Sequence, residues 1–351
     1  MRPQIFLHIG MHKTGTTYLQ HLFRRCRKQL LQADGLLFPE TGLPLTVGIR
    51  PNPDGLPGHN EFTRRSRSKT IISELAAEIY ACSPQRVFIS AENLGDPRPL
   101  NFSRALVEGL EHIGSVSIIL VVRRQDKWID SYYRERVSGT KKGETRDFQT
   151  YLREEGPRLL DYGVRFQPWR QAPFSGRFLA ASYDDLAVEN RLLSWFCENL
   201  QVLHSADSLH LKQAPKHLSL TRLDAEITRL VNMLPDLEPL ERSALLRHVY
   251  GLGMLPDTPF VTDEHYEEIR TCYEPKNKHL VDKWSLEPAS EFTNWHRPKE
   301  QGDWAADVNT ISSKLTAVTN GLQDICYGAQ RRKRPFKNLV AKFLKSVRAD
   351  L

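Results

Sequence analysis

The 351-residue sequence contains no run of 18 apolar residues, so it predicts no membrane-spanning helix. The opening "MRPQIFLHIG" lacks the long apolar stretch of a secretory signal. Cysteine is scarce: Cys26, Cys82, Cys197, Cys272 and Cys326 are odd in number and scattered, with no C-x-x-C pair. That pattern argues against a disulfide scaffold and a structural zinc site, and it predicts a reducing, cytoplasmic setting with no metal. No repeat of fixed period and no low-complexity segment is present. Most of the chain also lacks a charge imbalance. Of 49 basic and 42 acidic residues, eight basic and one acidic lie in "RRKRPFKNLVAKFLKSVRADL" at 331–351. The other 330 residues therefore carry 41 of each sign and are neutral. A neutral body is not built to grip a polyanion, and no nucleic-acid partner is expected.

What is present reads as a folded protein. Hydrophobic residues make up 40% and charged residues 26%, both globular values, and the length suffices for one large domain or two ordinary ones. Short apolar runs at 4–9, 86–91, 116–122 and 177–182 alternate with helical patterns at 16–31, 100–112, 126–137 and 186–200. Runs apolar on both faces, such as "SIILVV", suit a sheet covered by helices. The expectation is an α/β fold with a central, mostly parallel sheet flanked by helices and a helical part from about residue 215. One domain over 1–330 with a separate tail at 331–351 is expected. Residues 39–69, rich in Pro, Gly, Asn and Arg, read as a long surface loop.

The stretch "HIGMHKTGTTYLQ" (8–20) carries the chemistry. Gly10 and Gly15 have the spacing of a nucleotide phosphate loop, G-x-x-x-x-G-K-[ST], but the lysine is Lys13, before the second glycine. Strand, glycine turn and helix gather backbone N–H groups around an anion. Lys13 adds a positive charge, and the hydroxyls of Thr14, Thr16 and Thr17 add donors. A phosphoryl-transfer enzyme would hold Mg²⁺ with an acid ending a second strand. Here "ISAEN" ends in Glu92 and "ILVVRR" in two arginines, which hold a phosphate bidentately and cannot hold Mg²⁺. A sulfuryl group carries less charge than a phosphoryl group, so its transfer can proceed without metal.

On these residues the chain resembles the sulfotransferases that use 3′-phosphoadenosine 5′-phosphosulfate (PAPS), in their carbohydrate and bacterial branches. Their 5′-phosphosulfate loop, K-[ST]-G-T-[ST], is matched by Lys13, Thr14, Gly15, Thr16 and Thr17. Their 3′-phosphate pair, an arginine ending a strand and a serine eight residues later, is matched by Arg123 and Ser131. Gln125 stands where the family often has proline, and Asp126 comes one position early; the spacing favours Arg123 over Arg124. "YGVRFQPW" (162–169), "ASYDDL" (181–186), "KHLSLTRLDAEITRLVN" (216–232) and "CYEPKNKHL" (272–280) resemble further family segments in order. The glycine-rich C-terminal loop of the small-molecule branch is missing. The resemblance implies PAPS as sulfuryl donor and a hydroxyl of a carbohydrate or lipid-linked glycan as acceptor. A P-loop kinase using ATP and Mg²⁺ and a non-catalytic nucleotide-binding module are the alternatives.

Transfer needs a base for the acceptor hydroxyl. Glu92, just past a strand end, is one candidate, because open α/β sheets place their sites there and glycan-sulfating relatives use a glutamate. His59 in "PGHNEF" is the other, with an ordinary pKa of about 6.5. His8 and His12 are expected to pack or face solvent, and Trp128, Tyr132 and Tyr133 to serve the core. Asp184 or Asp185 is read as a helix cap rather than a metal ligand. Arg64, Arg65 and Arg67 either bind an acidic glycan or are merely solvated.

In the tail, Phe336, Leu339, Val340, Phe343, Leu344 and Val347 form an apolar stripe at helical spacing, with basic residues opposite. Such a helix can lie on an anionic membrane surface, which would attach the protein peripherally to the inner face. The alternative is docking on its own domain or on a partner subunit. Flotation with anionic liposomes is therefore expected for the full chain and lost in a chain ending at Gln330; equal flotation of the two contradicts membrane binding.

Overall fold

The computed structural model describes residues 2–43, 46–47, 50–51, 58–64, 68–139, 143–205, 220–234, 237–250, 257–296 and 308–331. The tail stripe, Arg65 and Arg67 lie outside these residues. The chain divides into two compact units, the first built from 1–128, 156–217 and 267–295, the second from 129–155, 218–266 and 296–351.

The first unit holds the sheet. Strands β1 (Gln4–His8), β2 (Leu36–Leu37), β5 (Arg86–Ser90), β6 (Ser115–Val122) and β7 (Phe178–Ser182) lie in the order β2-β5-β1-β6-β7. A separate two-stranded ribbon pairs β3 (Thr46–Val47) with β4 (Arg50–Pro51). Every pairing in the larger sheet is parallel. Helices α1 (Thr16–Asp34), α2 (Ser68–Cys82), α3 (Leu100–Glu111) and α4 (Gln125–Ser138) follow four of the strands. The expected α/β architecture is present, with each of the four expected strands within a residue of its predicted bounds.

The register explains why both faces of these strands are apolar. Phe6 stands between Phe88 and Ser117, and His8 between Ser90 and Ile119. Phe6, Phe88, Ile119 and Val121 pack against Leu19, Leu22, Phe23 and Leu30 of α1 and against Phe196 and Leu200. The alternate residues Ile5, Leu7, Val87, Ile89, Ile118 and Leu120 are just as buried. Aromatic rings tie the first face together: Phe88 lies 4.9 Å from Phe23 and 5.9 Å from Phe196, centroid to centroid. Each such ring contributes roughly 1.5–3 kcal/mol through burial. The expected helix at 186–200 is instead two, Tyr183–Val188 and Leu192–Leu200. Asn190 between them takes a left-handed φ of 52°, which ends one helix and starts the next.

The loop expected at 39–69 is only partly on the surface. Leu43, His59, Glu61 and Phe62 are buried, and the His59 amide donates to the Ser90 carbonyl (2.7 Å).

The second unit is helical among its described residues. Leu223, Ile227, Leu230 and Val231 of helix Arg222–Asn232 form a 3.6-period stripe. They meet Leu245 and Leu246 of Pro239–Tyr250, and Val318 and Leu322 of Val308–Arg331. A Cβ on Gly321 would come within 2.4 Å of Leu245 Cδ1, so two of these helices approach closely at that point. A second cluster groups Tyr133 with Phe148 (5.2 Å) and Phe260 (5.0 Å). Inside this unit Lys314, 1% exposed, donates to Asp224 at 2.7 Å. Removing one partner of a buried pair strands the other charge, at about 3–5 kcal/mol. Lys314→Met is therefore expected to lower unfolding free energy by about that amount in urea titrations followed by helical circular dichroism. A loss below about 1 kcal/mol would show that the pair sits in water-like surroundings.

Candidate functional site

β1 is the central strand, with β5 on one side and β6 on the other. The chain fills one half of the sheet, then crosses β1 to fill the other. In such sheets the crevice for a ligand opens beyond the C-terminal ends of the strands at that reversal. Three segments of the first unit leave the strands there: the loop after β1, the turn after β5 and Arg123 after β6.

The loop after β1 is sharply bent. Lys13 (φ 63°) and Gly15 (φ 73°) both adopt left-handed backbone, which costs a non-glycine residue about 1–2 kcal/mol. Such conformations persist only where surroundings enforce them, and they gather at ligand sites. The surroundings here are explicit. The Thr14 hydroxyl donates to the Met11 carbonyl (2.6 Å). The Trp128 indole N–H donates to the His12 carbonyl (2.7 Å). Gly15 is N-cap of α1, and a Cβ there would sit 2.5 Å from Leu192 Cδ2. Alternating left-handed residues and a helix start leave backbone N–H groups turned to one concavity.

The threonine hydroxyls divide. Those of Thr14 and Thr16 are buried and lie within 3.3 Å of each other and of the Met11 carbonyl. The expectation that they add donors to the cavity is corrected: they shape the loop from behind. Thr17 is half-buried at the helix start, and Lys13 is likewise half-buried.

Glu92 opens a 3₁₀ turn, Glu92–Gly95, directly after β5. This turn packs backbone to backbone on the loop: a Cβ on Gly95 would fall 1.9 Å from the Gly10 carbonyl oxygen, and one on Gly10 would fall 3.1 Å from Glu92 Cα. No side chain fits at Gly95, and one at Gly10 would need its neighbours to give way slightly. The Glu92 side chain, 19% exposed, faces His12, with Oε2 3.7 Å from Nδ1. His12 Nε2 is 3.9 Å from Asp96. His12 thus touches the loop and the turn together, a role that its expected packing or solvent position did not include.

The arginine pair separates cleanly. Arg124 is fully enclosed: its Nε and Nη2 donate to Asp126 (2.7 and 2.9 Å), its Nη1 to the Asn294 carbonyl (2.8 Å). Arg123 is 21% exposed, stands 3.4 Å from Asp184 Oδ1 and lies over the Tyr183 ring. Arg124 is a structural arginine, and Arg123 is the one that a ligand can reach. Gln125 exchanges two 2.8 Å hydrogen bonds with Asn277. Ser131 is half-buried on α4, in the part of the chain that belongs to the second unit.

His59 does not meet the requirement for a base. It is 0% exposed, with Nε2 at 2.9 Å from the Pro39 carbonyl and Nδ1 accepting from the Ser90 amide at 3.0 Å. Both ring nitrogens are committed, and burial lowers its pKa to about 4. A proline- and glycine-rich segment suggested exposure, but the ring anchors that segment to β5. His8 is also buried, bonded to the Ser90 hydroxyl (2.9 Å), and burial takes its pKa to about 3. Trp128, Tyr132 and Tyr133 are core residues as expected.

Two supports carried little signal in the sequence. The Tyr162 hydroxyl donates to the Arg123 carbonyl (2.8 Å). Arg165 donates to the Gly95 carbonyl (2.7 Å) and stacks over Trp128. Both come from "YGVRFQPW", whose order alone was informative. Asp184 accepts from the Arg124 amide (3.1 Å). Asp185 caps a short helix, Ser290–Thr293, through the Ser290 hydroxyl and the Glu291 amide. The cap of their own helix, Tyr183–Val188, is instead Ser182, whose hydroxyl accepts from the Asp185 amide. Arg64 pairs with Glu61 at 3.4 Å. No helix among the described residues is long and apolar enough to cross a membrane.

Comparison with protein-family models, with curated proteins and with solved structures finds no match for this chain.

The two buried histidines give stability a pH dependence with a definite sign. Unfolded imidazoles take up protons near pH 6.5, whereas folded His59 and His8 do so only near about 4 and about 3. Their contribution is full above about pH 6.5 and falls as pH drops towards those folded values. Urea midpoints are expected to decline steadily from pH 7 to pH 4.5, and less steeply in His8→Gln; a wild-type midpoint flat over that range would refute neutral burial.

Proposed function

We propose that the first unit transfers a sulfuryl group from PAPS to a hydroxyl of a carbohydrate or glycolipid acceptor, by in-line displacement that needs no metal ion. The observation that carries this reading is the left-handed K-T-G-T-T loop, braced by the Glu92–Gly95 turn and flanked by Arg123 at the end of the next strand.

The residues fit the donor. The backbone N–H groups of 14–17 and the Thr17 hydroxyl hold the 5′-phosphate at the start of α1, where a helix favours negative charge. Arg123, which stands beside Asp184, holds the 3′-phosphate. PAPS supplies an activated sulfuryl group bound to a good leaving phosphate.

Glu92 takes the proton of the acceptor hydroxyl as the oxygen–sulfur bond forms. Lys13 neutralises the charge that gathers on the bridging oxygen as its bond to sulfur breaks. The braced loop fixes the point from which this side chain leaves the backbone. With His59 enclosed, Glu92 is the base. His12 stands 3.7 Å from this carboxylate.

Against an ATP- and Mg²⁺-dependent kinase stands the second strand end, where β6 is followed by arginines. Calorimetric titration separates the readings. Tight binding of 3′-phosphoadenosine 5′-phosphate without metal is expected, weakened about tenfold to a hundredfold in Arg123→Ala, the effect of losing a charge-assisted hydrogen bond. Preference for ATP with Mg²⁺ would overturn the reading. With an acceptor in hand, Lys13→Ala and Glu92→Gln should each lower kcat by about 10² or more; a Lys13→Ala effect confined to affinity would point to a binding module.

A further inference from the structure

The stretch 58–63 meets the site from outside the sheet. The amide and ring of His59 fasten it to Ser90 and Pro39. Gly58 presses on α1, where a Cβ would fall 2.5 Å from the Gln20 Nε2. Asn60 then opens a 3₁₀ turn, Asn60–Thr63, which packs on the Glu92–Gly95 turn.

The main chain of Asn60 is fixed on both sides. Its N–H donates to the Gly58 carbonyl (2.9 Å), and its carbonyl accepts from the Thr63 hydroxyl (2.6 Å). Its side-chain Oδ1 accepts from the Asn93 amide at 3.5 Å. The Asn93 nitrogen is one peptide bond from Glu92, so this oxygen lies within about 6 Å of Glu92 Cα. Asn93 is held in turn at its carbonyl by Arg98 (2.7 Å). The neighbouring side chains of the stretch have committed their donors, His59 Nε2 to the Pro39 carbonyl and the Thr63 hydroxyl to that of Asn60. Asn60 itself is half-buried, and among the described residues its Nδ2 makes no hydrogen bond. With Oδ1 towards the Asn93 amide, the Nδ2 protons remain to be offered.

We propose that Asn60 selects the acceptor. Its Nδ2 donates to the hydroxyl next to the one whose proton Glu92 takes, so the site favours compounds with two adjacent hydroxyls, as on a sugar ring. This assignment rests on the sulfuryl-transfer reading, in which Glu92 is the base. A carboxylate beside a neutral amide suits a vicinal diol, because one hydroxyl donates to the first while its neighbour accepts from the second. An acceptor with a single hydroxyl satisfies Glu92 and leaves the amide without a partner, which is how a polar site rejects an analogue lacking one group. The amide is neutral and partly open to water. The discrimination is therefore that of one ordinary hydrogen bond, about three- to tenfold.

The test is a ligand-observed NMR titration of the full chain with vicinal trans-cyclohexanediol and with cyclohexanol, which share a ring and differ by one hydroxyl. The diol is expected to bind about three to ten times more tightly. Asn60→Ala and Asn60→Asp should each bring the two alcohols to equal affinity. Asn60→Asp keeps an oxygen facing the Asn93 amide but loses the donors, so a residue that only braced the turn would retain the preference in this variant. No preference in the wild type, or one that survives in Asn60→Asp, would overturn the inference. The same samples titrated with 3′-phosphoadenosine 5′-phosphate keep the two proposals apart. A diol preference without nucleotide binding would overturn the transferase reading alone; nucleotide binding without a diol preference would overturn the role of Asn60 alone.

Discussion

Strand β1 is hydrogen-bonded on both sides, to β5 and to β6, in parallel register. That double pairing is the constraint on which the rest of the first unit depends. Parallel strands end together, so the segments that follow β1, β5 and β6 must emerge side by side. Three segments distant in sequence, carrying Lys13, Glu92 and Arg123, become neighbours without any contact designed for that purpose. The pairing also forces their backbones together, and two glycines, Gly10 and Gly95, are the residues that tolerate it.

The loops so gathered are held by their carbonyl groups. Trp128 takes the carbonyl of His12, Tyr162 that of Arg123, and Arg165 that of Gly95. Each donor is a large buried side chain whose position is set by packing. Two of these peptides are held at their N–H groups as well, that of Arg124 by Asp184 and that of Asp96 by the Asn93 carbonyl. Charge follows the same logic, because Asp184 accepts from the Arg124 amide while standing beside Arg123.

The strands were legible because a sheet covered on both faces is written in short unbroken apolar runs, each followed by a helical pattern. The phosphate-type loop was legible because glycine spacing and a lysine are local. What was hidden depended on distant partners. Arg124 is sealed in by the carbonyl of Asn294, 170 positions away, so nothing near it marked which of two adjacent arginines would face out. His59 was misread for the same reason, since the groups that bury it are Pro39 and Ser90. The break at Asn190 was local but weak: four exposed residues, 187–190, blur the helical period just where one helix gives way to another.

The hydrogen bond from His59 to the Pro39 carbonyl joins two residues 20 positions apart and so closes the base of a long excursion of the chain. A closed base uncouples the length of the excursion from the sheet below. Doubling such a loop adds only about 0.6 kcal/mol in closure entropy, and a clamp at its foot stops any change from reaching Ser90 and the turn beyond. A change in chain length between Leu43 and Gly58 should therefore carry little thermodynamic penalty for the sheet.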